Sequence, residues 1–96
     1  MNVFRLIQEA AADENAMFFA YAGDGNDIIL PDIESEEMMG WLIPNEKVAE
    51  FEPEWNVSNS ESALERWGDY FLWAEWKLVN GEIQIEFKRY SYTIIR

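Results

Sequence analysis

Carboxylates are the one kind of reactive side chain that this sequence holds in quantity. Between Arg5 and Lys47 there are ten and no base: Glu9, Asp13, Glu14, Asp24, Asp27, Asp32, Glu34, Glu36, Glu37 and Glu46. Through Asp69 there are 16 acids against Arg5, Lys47 and Arg66, whereas from Tyr70 to Arg96 three acids meet four bases. The net charge of −12 therefore belongs to the first two thirds of the chain. Carboxylates in such number can act as paired acid and base, ligate cations, or receive guanidinium and ammonium groups from another molecule.

The first of these uses has little support. There is no His and no Cys, which removes Ser-His-Asp triads, Cys-His pairs, imidazole zinc sites and an ordinary neutral-pH proton shuttle. Two carboxylates flanking a cleft can hydrolyse a glycoside, but among 19 acids some pair always falls at the required separation. Trp41, Trp55 and Trp73 could stack on a sugar, yet packing is the commoner use of Trp. No catalytic residue is assigned, and the protein is read as a non-enzyme. A phosphate-binding Gly loop is also missing, because Gly23-Asp24-Gly25 lacks the third Gly, the Lys and the following helix. Lys88-Arg89 is the only adjacent basic pair, too little for a nucleic-acid patch. The acidic balance likewise disfavours direct contact with nucleic acid or an anionic membrane.

The cation-binding use meets one local pattern. Gly23-Asp24-Gly25-Asn26-Asp27-Ile28-Ile29, within Ala22–Leu30, resembles one unit of the calcium-binding nonapeptide repeat of RTX proteins. That family stacks several units to build its sites, and a lone unit cannot supply six to eight oxygens. EF-hand spacing fails too, since loop position 12 counted from Asp24 is Ser35. The stretch is read as a hairpin turn, with no metal and no cofactor.

The third use fits best. Glu34 and Glu36 share one side of an extended stretch, and Glu46 and Glu50 stack one helical turn apart. Glu50, Glu52 and Glu54 alternate with Phe51, Pro53 and Trp55, mixing acids with aromatic anchors. The expected contact surface is Asp24, Asp27, Asp32, Glu34, Glu36, Glu37, Glu46, Glu50, Glu52 and Glu54, with Trp55 as anchor. An array of carboxylates can imitate nucleic-acid phosphates and occupy the Arg and Lys that evolved for them. In size, charge and aromatic content the chain resembles small acidic inhibitors of nucleases, restriction enzymes and CRISPR effectors, and immunity proteins that plug toxic nucleases. No motif of such a family is matched residue by residue. The expectation is an acidic binding protein that inhibits a basic, nucleic-acid-acting protein by stoichiometric binding. The alternative is an assembly protein that self-associates through its sheet edge, using Tyr90, Tyr92 and Ile94. A monomer is expected under the first reading, and a homodimer under the second. A calcium or sugar binder is a third reading.

These side chains need a scaffold, and 96 residues make one small domain, 1–96, that buries ~60–65% of its unfolded surface. Aromatic residues make up 16% of the chain, which supplies a core despite the charge. The start of the sequence lacks the pattern of a secretory signal and no apolar run is long enough for a membrane helix, so a cytoplasmic protein is expected. Residues 2–14 read as a helix capped by Asn2, with Val3, Leu6, Ile7, Ala10 and Ala11 at helical spacing. Ala16–Ala22 and Asp27–Leu30 read as strands of a hairpin, and Met38–Ile43 as a further strand, with Gly40 at a bulge or bend. A short helix from about Asn45 to Phe51, with Asn45 as its cap, should stop at Pro53. Trp55–Ser62 reads as loop, followed by a helix near 61–69 capped by Ser60 or Ser62 and ending near Gly68. Asn80-Gly81 is the preferred pair for a two-residue hairpin turn. Counting outward pairs Val79 with Glu82, Leu78 with Ile83, Trp76 with Ile85 and Ala74 with Phe87. A phase change after Phe87 implies a bulge near Lys88-Arg89. One long helix over 61–78 is the competing reading. The fold expected is α+β, an N-terminal helix packed on an antiparallel sheet of about four to six strands, with a C-terminal β-hairpin turning at Asn80-Gly81.

Overall fold

The computed structural model describes residues 3–21, 37–57 and 60–89. Helix α1 (Val3–Asp13) leads into strand β1 (Ala16–Ala20), and β2 (Glu37–Pro44) follows. A 3-10 turn (Asn45–Lys47), α2 (Val48–Val57), α3 (Ser60–Trp67) and a second 3-10 turn (Gly68–Tyr70) come next, before β3 (Phe71–Val79) and β4 (Glu82–Arg89). The four strands form one antiparallel sheet in the order β1-β2-β3-β4. The fold is α+β, with an N-terminal helix on the sheet and a C-terminal hairpin.

Each sheet face carries its own apolar cluster. Strand side chains alternate between faces, so the matched rows Phe19–Trp41–Phe71 and Met38–Ala74–Phe87 point to opposite sides. Helix α1 buries Val3, Ile7 and Ala11, spaced four apart on one face, against Phe18, Ala20, Met38 and Ala74. On the other face Phe51 of α2 and Ala63 and Trp67 of α3 pack on Phe19, Trp41, Ile43 and Phe71. The result is three layers: α1, the sheet, and the α2–α3 pair. Phe51 is the peg of the second cluster. It has no exposed surface, and its ring lies 4.7 Å from Phe19, 5.3 Å from Trp67 and 5.9 Å from Trp41.

Local chemistry ends α1 cleanly. Asn15 takes a left-handed conformation (φ 57°), which Asn tolerates better than most residues. The amides of Glu14 and Asn15 donate to the carbonyls of Ala11 and Ala12. Gln8 then reaches from α1 to the outer side of β1. Its Oε1 accepts from the Phe18 amide at 3.2 Å and its Nε2 donates to the Phe18 carbonyl. One side-chain amide thus satisfies both outward backbone groups of an edge residue.

The hairpin follows the count from Asn80-Gly81. Both turn residues have positive φ, 54° and 81°, as a type I′ turn requires. The expected pairs Val79–Glu82, Leu78–Ile83, Trp76–Ile85 and Ala74–Phe87 are all present.

Several expectations are corrected. The ladder stays regular through Trp73–Lys88 and Leu72–Arg89, so no bulge interrupts it there. Gly40 sits in unbroken pairing with Ala20 and Leu72, not at a bulge. Its reason is space, for a Cβ would overlap the Phe19 carbonyl oxygen and lie 2.9 Å from Ala20 Cα. Pro53 does not stop α2, which runs on to Val57. The buried Phe51 before it and the bonds of Glu54 after it hold the segment helical despite the missing amide. Residues 55–57 and 60–62 are accordingly helix rather than loop. Pro44 occupies the cap position before the first 3-10 turn, with no side-chain cap bond, so Asn45 is not the cap. The long helix over 61–78 is excluded, because α3 ends at Trp67 and β3 begins at Phe71. Asn2, the Ala22–Leu30 turn with the strand Asp27–Leu30, and Tyr90, Tyr92 and Ile94 lie outside the described residues.

Candidate functional site

The acids on α2 are positioned by what the opposite side of the helix buries. Phe51 enters the core, and successive helical residues are turned by about 100°. Glu50 and Glu52 therefore flank the buried side from either flank instead of forming one row. Glu46 lies in the 3-10 turn before α2, so the α-helical stacking expected with Glu50 does not apply to it; all three of these acids are exposed. Among the described residues none of the three has a hydrogen-bond or ion-pair partner.

Glu54 is different. Arg66 Nη1 donates to one carboxylate oxygen and Trp67 Nε1 donates to the other. The Arg66 guanidinium also lies over the Trp67 ring, 5.7 Å from its centre. Glu54 thus ties α2 to α3 and is spent inside the fold. Phe51, which alternates with these acids in the sequence, faces inward and is core. Trp55 falls on α2, but its side chain lies outside the described residues, as do Asp24, Asp27, Asp32, Glu34 and Glu36.

Glu37 stands apart from the helical acids. It opens β2, and α2 begins past the other end of that strand, roughly 25 Å away at the usual strand rise. Register gives it other company, with Glu37 opposite Glu75 and Glu75 opposite Glu86. Three carboxylates thus lie side by side across three strands, an arrangement that opposes pairing. Lys88 offsets it, with its Nζ 2.8 Å from Glu75 and 4.0 Å from Glu86. The Trp73 indole N–H donates to the remaining Glu75 oxygen at 2.8 Å. The hydrogen bond from Lys88, then that from Trp73, holds the Glu75 carboxyl below the usual glutamate range. The same contact raises Lys88. The hairpin count already implies Glu75 opposite Glu86; sequence reasoning missed Glu37 beside them because that depends on the β2–β3 register.

Three of the basic groups are already engaged. Arg5 lies 3.5 Å from Glu9, Arg66 holds Glu54, and Lys88 holds Glu75. Asp69, exposed after α3, adds to the charge of the α2–α3 layer. Among the described residues no three acidic side chains converge in a way that could hold a metal ion. No described helix is long and apolar enough to cross a membrane.

Family models, curated proteins and solved structures offer no match to this chain. Its functional reading therefore rests on its own residues. What the α2–α3 layer presents is carboxylates on a firmly seated helix, a surface suited to receiving cations.

Proposed function

We propose that this protein is a non-enzymatic acidic binding protein that inhibits a basic, nucleic-acid-acting protein by stoichiometric binding. Its described docking groups are Glu46, Glu50 and Glu52; Asp24, Asp27, Asp32, Glu34 and Glu36, which lie outside the described residues, belong to the proposed surface by sequence alone, and Glu37 does not join it. The observation that carries the reading is the seating of α2. Phe51 fixes the helix, while Glu50 and Glu52 on it, and Glu46 in the preceding 3-10 turn, are exposed and form no ion pair among the described residues. Arg66, on the neighbouring α3, is committed to Glu54. A field of this kind repels itself, and a cationic groove on another protein relieves that repulsion. Lys and Arg that evolved for phosphate accept carboxylates in the same fork geometry. The reading places the protein in the cytoplasm, where such enzymes act on nucleic acid.

The test is affinity capture from the source cell at low salt, with identification of what is retained and measurement of its nuclease or nucleic-acid-binding activity. The expected partner is a basic protein whose activity falls to zero at a one-to-one ratio. Its affinity should drop steeply as salt shortens the Debye length from ~10 Å to ~3 Å. The triple substitution E46Q, E50Q and E52Q should weaken it while E54Q mainly lowers stability. A partner held equally well by the triple variant and at high salt would overturn the proposal.

A further inference from the structure

The two edges of the four-stranded sheet are treated differently. At β1 the outward amide and carbonyl of Phe18 are both occupied by the Gln8 side chain. At β4 no strand or side chain fills that role among the described residues. Such an edge is a template for another strand. Which β4 groups face outward follows from the turn. Val79 and Glu82 close a two-residue hairpin and exchange hydrogen bonds, so Glu82, Gln84, Glu86 and Lys88 turn their backbone groups toward β3. Ile83, Ile85 and Phe87 present theirs to the free side.

We infer that β4 pairs antiparallel with β4 of a second copy of this chain, about a two-fold axis at Ile85. That register sets Ile83 opposite Phe87 of the second copy, Ile85 opposite Ile85, and Gln84 opposite Glu86. It also sets Glu82 opposite Lys88, twice by symmetry. The apolar residues meet on the α1 face and the charges match on the other. Neighbouring registers lack this agreement. Centring on Glu86 faces that carboxylate with its own copy, and centring on Gln84 faces Glu82 with Glu86. Centring on Phe87 faces Ile85 with Arg89.

Two further observations fit a second copy as the occupant. Leu78 is 62% exposed at the end of the hairpin. Its row, Leu78–Ile83, runs on in the paired sheet into Phe87 and Ala74 of the second copy. The charge distribution also permits it, since β4 itself carries Glu82 and Glu86 against Lys88 and Arg89. The surplus acids lie elsewhere, and the α2–α3 cluster contains no β4 residue. Pairing therefore leaves Glu46, Glu50 and Glu52 free on both copies. The inference does not rest on the docking reading, and it replaces the monomer expected with that reading by a dimer that leaves the docking acids uncovered.

Sedimentation of the full chain tests it. A dimer is expected, and it should tighten as salt rises, because salt screens repulsion between two chains of charge −12. That trend is opposite to the one expected for the docked partner. E82K and K88E should each weaken the dimer about tenfold or more, since each places like charges across both contacts. Mixing the two variants should restore a dimer, because every crossed contact is again Lys with Glu. Ile85→Pro removes an outward amide without breaking the ladder to β3 and should give a folded monomer. If that variant does not fold, the mixing experiment still decides. A monomer at every salt concentration overturns the inference. So does a dimer indifferent to E82K and K88E, or a monomer whose Ile83, Ile85 and Phe87 amides resist hydrogen exchange, which means another stretch of the same chain covers the edge.

Discussion

Replacing Phe51 with Ala tests whether the acidic helix is truly seated. The ring is fully buried and touches the rings of Phe19, Trp41 and Trp67. Removing it forfeits the transfer energy and leaves a cavity walled by rigid aromatic side chains that close in poorly. Truncations of this kind cost about 3–5 kcal/mol. At ~0.05–0.15 kcal/mol per residue, a chain of 96 residues has about 5–14 kcal/mol in all. The variant should therefore lose about a fifth of its stability or more, and its Tm should fall by at least about 12 °C. Urea unfolding followed by Trp fluorescence is the assay, because Trp41 and Trp67 line the cavity. Leu64→Ala, at a half-buried position of the same cluster, should cost about half as much. A loss below about 1 kcal/mol for Phe51→Ala, with an unchanged denaturant slope, would refute the reasoning. The α2 helix would then not be pegged to the sheet, and Glu46 and Glu50 would have no fixed place from which to meet a partner.

Gly40→Ala should be severe, about 3 kcal/mol or more, because the new methyl meets backbone that cannot rotate away. Gly68→Ala, where an added methyl meets nothing within 4 Å, should be nearly silent in the same urea assay, and equal effects would contradict the close approach of β1 to β2. Glu75 should titrate below ordinary glutamates by NMR, and Lys88→Met should move it upward, part of the depression surviving through Trp73. Because folding lowers the Glu75 pKa, its stabilisation is present above the unfolded pKa and is lost as pH falls through the folded value. Lys88, raised by folding, loses its share only as pH climbs through its own folded pKa. An unmoved Glu75 titration in Lys88→Met would show that the pair does not form in solution.

What could be read from the chain was what its near neighbours decide. Asn80-Gly81 selects a turn whose backbone twist matches its strands, and the turn alone sets every pair from Val79–Glu82 to Ala74–Phe87. Helix α1 was equally plain, since Val3, Ile7 and Ala11 repeat on one side within eleven residues. The role of Glu54 was not readable, because its partners Arg66 and Trp67 belong to another helix. The stop expected at Pro53 weighed a local penalty without the packing that outweighs it. The Glu37–Glu75 pair, which completes the row with Glu86, joins strands connected through two helices, where no nearby residue dictates the register. The number and sign of the acids were legible from composition. Which of them the fold uses for itself and which it offers outward depended on side chains far away in the chain.

The clasp of Gln8 on Phe18 has a consequence for how the protein is born. Its two ends are only ten residues apart, and α1 leaves the ribosome before β1 does. Contacts so close in the chain form early. The guard is thus synthesised before the strand it shields, and the clasp needs only ten residues of chain to close. The opposite border, β4, follows β1, β2 and β3 in the chain, so it is laid down against strands already made.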